Sequence, residues 1–184
     1  MSISCCLALL ALLPSPQSKH VWNVSAGGDF TTLAAAVAGA SAGDVLLVGP
    51  GVVSQDGTVV IGKPLTIQSD GAPIALHEYI RVTGIPAGQS LELRGFHLDK
   101  QLRLETNPGL VWIEDCEVAP VSTGFSGPDD SAIRVEDCAD VVMSGTTARG
   151  EDGSDLGGLV HGVLAEDSSL HAYGCTFVGG RAYS

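Results

Sequence analysis

From Val45 onward the chain repeats one short phrase: apolar, variable, apolar, variable, then Gly, Asp or Ser, with another apolar residue soon after. It reads Val45-Leu46-Leu47-Val48-Gly49, Leu65-Thr66-Ile67-Gln68-Ser69, and Leu91-Glu92-Leu93-Arg94-Gly95 running on to Phe96 and Leu98. It returns as Val111-Trp112-Ile113-Glu114-Asp115-Cys116, Val141-Val142-Met143-Ser144-Gly145-Thr146 and Leu170-His171-Ala172-Tyr173-Gly174-Cys175. A second phrase precedes each copy from Leu65 on: Val59-Val60-Ile61, Ile80-Arg81-Val82, Leu102-Arg103-Leu104, Ile133-Arg134-Val135 and Val163-Leu164-Ala165. Both phrases alternate with period two, the pattern of a strand with one buried face. The closing Gly, Asp and Ser supply turn conformations. Strands this short cannot each build a sheet, but they can stack coil on coil, pair in parallel and ladder their inward side chains. The pattern predicts an all-β fold, a single-stranded right-handed parallel β-helix: a solenoid of about six coils over residues 44–184.

The segment ahead of the repeat changes period. Leu33-Ala34-Ala35-Ala36-Val37-Ala38 favours helix, Thr31 or Thr32 can cap it, and Gly39 with Gly43 can end it. Leu33 and Val37 share one face. A short N-terminal capping α-helix over 31–39 is therefore expected to cover the open first coil and its unpaired edge. The repeat also accounts for three cysteines. Phe96, Cys116, Thr146 and Cys175 fall at one inward position, and Cys138 sits at another corner, level with Ser168. Cys116 and Cys175 then lie two coils apart, beyond disulfide reach, so all three are expected as free thiols.

The ends and the charge add context. Leu7 to Leu13 is a compact apolar run followed by Pro14, Ser15, Pro16 and Ser18, the layout of a secretory signal over residues 1–18. The mature domain would be 19–184, secreted or at the cell surface. No stretch is long enough to be a transmembrane span. Of the formal charge of −12, residues 105–184 carry fourteen acids against three bases. No nucleic acid partner is expected against such a surface. The phrase Phe177-Val178-Gly179-Gly180 stops where another coil would begin, so a C-terminal continuation or a partner is expected over the open last coil.

Asp29-Phe30-Thr31-Thr32-Leu33, Ala42-Gly43-Asp44-Val45, Pro50-Gly51 and Lys63-Pro64-Leu65-Thr66-Ile67 resemble the opening of secreted right-handed β-helix proteins of the pectin-lyase-like superfamily. The resemblance covers residues 21–184 and implies the fold; the superfamily holds lyases, esterases, hydrolases and non-enzymatic surface proteins. Pectin methylesterases carry an aromatic residue and an acid soon after the Pro-Gly, where this chain has Val52-Val53-Ser54-Gln55. Val111-Trp112-Ile113-Glu114-Asp115-Cys116 resembles a pectate-lyase phrase whose acid helps hold calcium; the family's His is replaced here. Gly127-Pro128-Asp129-Asp130 and His161-Gly162 resemble phrases of polygalacturonase-like glycoside hydrolases, which need one carboxylic acid and one carboxylate with room for water between them. Asp129, Asp130 and His161 are thus the catalytic candidates. The family's Asn-Thr-Asp and Arg-Ile-Lys phrases are absent, and an Asp-Asp pair also serves as a turn signal.

Glu136-Asp137 and Glu166-Asp167 recur at matching positions of consecutive coils, with Asp152 and Asp155 in the Gly-rich loop between them. Stacked carboxylates repel unless they protonate, spread into water or share a cation. Ca2+ suits such oxygen ligands outside the cell, so these six are the metal candidates, with solvated turns as the alternative. Two functions are carried forward. One is a secreted module of carbohydrate-binding or surface-structural type, with polysaccharide as partner and no complete catalytic site. The other is a polysaccharide-active enzyme, polygalacturonase-like or pectate-lyase-like, whose site is partial.

Overall fold

The computed structural model describes residues 19–54, 57–121, 131–150 and 161–179. The apolar leader, Asp129, Asp130, Asp152 and Asp155 lie outside the described residues. In chain order the elements are β1 (Val21–Val24), α1 (Leu33–Gly39), β2 (Val45–Val48), β3 (Thr58–Ile61), β4 (Thr66–Ser69), β5 (Ile74–Leu76) and β6 (Tyr79–Thr83). They continue with β7 (Ser90–Arg94), β8 (Phe96–Leu98), β9 (Leu102–Glu114), β10 (Glu117–Val118) and β11 (Ile133–Ser144). The last four are β12 (Thr147–Arg149), β13 (Val163–Glu166), β14 (Leu170–Tyr173) and β15 (Thr176–Val178).

Every ladder between these strands is parallel, and the strands stack in three columns. The first phrase forms β1-β2-β4-β7, continues through the second half of β9 and of β11, and ends on β14. The second phrase forms β3-β6, the first half of β9 and of β11, and β13. The third column is β5-β8-β10-β12-β15. The molecule is an all-β, solenoid-like stack. Strands β9 and β11 belong to two columns because each bends at a residue with positive φ, Thr106 at 52° and Asp137 at 50°. Asp167 follows at 46° in the next coil. At the next corner Gly95, Asp115, Gly145 and Gly174 stack with φ between 50° and 76°. Left-handed backbone is costly for side chains with a Cβ, and Asp, with its short polar side chain, tolerates it best after Gly.

Leu, Ile and Val fill the interior, with Phe96 among the largest fully buried side chains. Phe96, Cys116 and Thr146 are buried in one inward ladder that ends on half-buried Cys175. The three cysteines among the described residues are free thiols. Cys138 lies in the corner ladder, its N–H donating to Ser168 Oγ at 2.9 Å. One register differs from expectation. Val45 pairs with Thr66, not Leu65, so Leu46 and Val48 point inward and Val45 and Leu47 outward. A one-residue slip exchanges the two faces of a strand. Four consecutive apolar residues left that slip open.

Helix α1 starts after Thr32, whose Oγ1 accepts from Ala35 N at 3.2 Å. It buries Leu33, Ala36 and Val37 against the first coil. Asp44 fixes the entry to that coil: it accepts hydrogen bonds from His20 N, Trp22 Nε1 and Ser41 N at 2.8–3.1 Å. Burial works to raise its pKa, but these donors outweigh it and hold the carboxyl below its ordinary value. Asn107 is the buried counterpart at a corner. Its Oδ1 accepts from Ile85 N, and its Nδ2 donates to Val82 O, both at 3.1 Å, and to Cys138 Sγ at 3.4 Å.

Candidate functional site: an arginine–glutamate ladder

Alternation along the second column sends every other side chain outward. Arg81, Arg103 and Arg134 stand in register on three successive coils, with Leu164 next. Two residues further along the same strands, Thr83, Glu105, Glu136 and Glu166 form a parallel row. The spacing between neighbours in each row is that of parallel strands, about 4.8 Å. Three like charges so close repel unless the other row answers them.

It does so one coil at a time. Arg81 Nε donates to Glu105 Oε2 at 2.7 Å, and Arg103 Nη1 approaches Glu105 Oε1 at 3.7 Å. Arg103 Nε also donates to Gln101 Oε1, and Gln101 Nε2 donates to the Ser131 carbonyl at 2.7 Å. Arg134 Nη2 sits between Glu136 Oε2 at 3.2 Å and Glu166 Oε2 at 3.3 Å. The Arg134 side chain is only 13 % exposed, whereas those of Arg81 and Arg103 are 50 % and 40 % exposed. Tyr79 is exposed on the same face and precedes Arg81 by two residues; Lys100 Nζ lies 5.9 Å from its ring centroid. The face therefore presents planar guanidinium donors, carboxylate acceptors and an amide at regular intervals, with a phenol at one end.

The four described metal candidates divide between two structural roles. Glu136 and Glu166 stack as expected, but the Arg134 guanidinium bridges them, which answers their repulsion without a metal ion. Asp137 and Asp167 occupy the left-handed corner positions. Among the described residues no group of three or more His, Cys, Asp or Glu is arranged to hold a metal ion. Of the catalytic candidates only His161 is described. It is exposed, and its carbonyl accepts from Ala132 N at 3.0 Å. The pairing of Ile133 with Val163 puts it level with Ser131, the residue that follows Asp130.

The lyase-like phrase lies on the first column. Trp112 faces outward, paired in register with Glu92 and Val142. Glu114 is held by Arg94, and Asp115 is a corner residue with φ 50°. A second polar cluster sits where β6 begins. Ser54 Oγ donates to the buried Glu78 Oε2 at 2.6 Å and accepts from His77 N at 2.8 Å, while His77 Nδ1 contacts Asp99 Oδ2. Burial pushes the Cys116 thiol up to about 11, so it stays protonated at neutral pH.

The arginine row was visible in the sequence. The middle residue of three consecutive copies of the second phrase is Arg, and Glu follows two positions after the last two of them. Their pairing runs between coils, Arg81 to Glu105 and Arg134 to Glu166, so neighbours along the chain do not show it. Among the described residues no helix is long and apolar enough to cross a membrane. No family model and no curated protein matches this chain.

Proposed function

We propose that this chain is a secreted or cell-surface module, built as a right-handed parallel β-helix, that binds polysaccharide along the outward face of its second column without catalysing a reaction. The right-handed sense is supported by the parallel pairing of every column, because crossovers between parallel strands are right-handed in nearly all proteins. Secretion is supported by the apolar run Leu7 to Leu13 and its Pro- and Ser-rich sequel. Strands β13, β14 and β15 are each paired on one side among the described residues. A further coil of the same repeat, or a partner, would continue the stack there.

The observation that carries the binding reading is the in-register repetition of Arg81, Arg103 and Arg134 beside Glu105 and Glu136, with Gln101 and Tyr79 on the same face. Sugar hydroxyls are at once donors and acceptors, and a vicinal pair can accept from a guanidinium while donating to a carboxylate. The Tyr79 ring offers an apolar plate for a sugar face.

The enzymatic reading is favoured by one observation, the position of His161 level with Ser131, the residue that follows Asp130 in the sequence. A panel of soluble glycans separates the two. Binding in titration calorimetry that Arg103→Ala weakens about tenfold or more, a loss of about 1.4 kcal/mol, supports the module if no reducing ends or unsaturated products appear. Product release abolished by Asp130→Ala or His161→Ala overturns it in favour of an enzyme. Absence of binding across the panel overturns it in favour of a surface-structural role.

A further inference from the structure

We infer that the ladder selects an uncharged, hydroxyl-rich glycan and rejects polyuronates and sulfated chains. This rests on the binding reading and specifies its ligand. A polyanion is held by cations that have room for it, ideally as bidentate guanidinium–carboxylate pairs. Here the guanidinium groups are already engaged. Arg81 and Arg103 share Glu105, Arg103 also holds Gln101, and Arg134 spans Glu136 and Glu166.

Three arginines and three glutamates sum to no net charge on the face. An incoming carboxylate can take only the N–H groups that these ion pairs leave over, and there it lies beside Glu105, Glu136 or Glu166 and is repelled. At longer range the rest of residues 105–184 adds eleven acids against two bases, a net of −9. A hydroxyl-rich neutral chain meets none of these penalties. Each hydroxyl can accept from an N–H and donate to a carboxylate while the ion pairs stay in place.

The test uses the whole chain against soluble xylan, mannan and β-glucan, polygalacturonate and dextran sulfate, at about 50 and about 500 mM NaCl, where screening lengths differ severalfold. The expected result is binding to at least one neutral glycan with less than a twofold change between the two salts, and none to either polyanion. Glu105→Gln removes the carboxylate that Arg81 and Arg103 share. It is expected to gain polygalacturonate binding at low salt and lose it at high salt. Polygalacturonate or dextran sulfate binding by the unaltered chain, weakened by Arg103→Ala, overturns this inference while leaving the binding face standing. Failure of all five glycans to bind the unaltered chain overturns the binding reading itself.

Discussion

Asn107 ties three successive coils together at one corner, and its removal gives a calculable loss. In Asn107→Ala the Ile85 N–H and the Val82 carbonyl lose the partner that holds both at 3.1 Å, and Cys138 Sγ loses its donor. Asn107 is fully buried, so water cannot replace these bonds without opening the corner. At about 1–3 kcal/mol for each orphaned buried backbone group, the two together cost about 3–4 kcal/mol. For a chain of this size that corresponds to a fall of about 10 °C in melting temperature. Urea and thermal unfolding followed by circular dichroism measure it. Asn107→Asp keeps the shape and the acceptor for Ile85 but loses the donor for Val82. Its deficit should shrink as the pH falls and the carboxyl gains a proton to donate. An Asn107→Ala variant that melts within about 2 °C of the unaltered chain, under 1 kcal/mol on the same scale, would refute the reasoning.

Other consequences follow from the same geometry. Arg134→Met leaves the half-exposed Glu136 and Glu166 stacked without their bridging cation; a loss of about 1 kcal/mol is expected. Millimolar Ca2+ should restore part of it, read as a calcium-dependent rise in melting temperature that the variant shows more strongly than the unaltered chain. Asp44 has a depressed pKa, so its stabilising contribution is complete above its ordinary value of 3.8 and fades only as pH falls through the lower folded value. The stability gap between the unaltered chain and Asp44→Asn, from urea midpoints, should be constant near neutrality and close below about pH 4. Iodoacetamide at mildly alkaline pH should label half-buried Cys175 well before Cys116, whose thiol is pushed up to about 11, as read by peptide mass spectrometry. Gly145→Ala must hold φ 59° with its Cβ 2.3 Å from Asp115 Oδ1, whereas Gly174→Ala meets open space at φ 61°. Both should destabilise by about 1–2 kcal/mol from the backbone alone, with Gly145→Ala the worse in urea melts.

The strand phrases were legible because inward and outward positions alternate strictly, and the same alternation put Phe96, Cys116, Thr146 and Cys175 in one ladder. Where alternation lapses, as in Val45-Leu46-Leu47-Val48, the face was not legible, and only pairing with Thr66 settles it. The acids of the later coils stood out for their charge, but charge alone does not tell a corner residue from a ligand. Asp137 and Asp167 are where they are because the chain turns left-handed there. Glu136 and Glu166 are answered by an arginine that the sequence places next to only one of them. Asn107 gave no sequence signal of its role, because its partners Val82, Ile85 and Cys138 come together only when coils stack.

The proposed binding face exists only if the second column stacks in this register. The pairing of Glu136 with Glu166 tests it directly on the face itself. A Glu136→Cys, Glu166→Cys double variant places two outward thiols on neighbouring parallel strands, about 4.8 Å apart and within disulfide range. Glu136→Cys with Leu164→Cys moves one thiol two residues along, to about 8 Å, beyond that range. Mass spectrometry of the oxidised proteins should find the bridge in the first variant and free thiols in the second. A bridge in the second and none in the first would contradict the stacking, and with it the ladder.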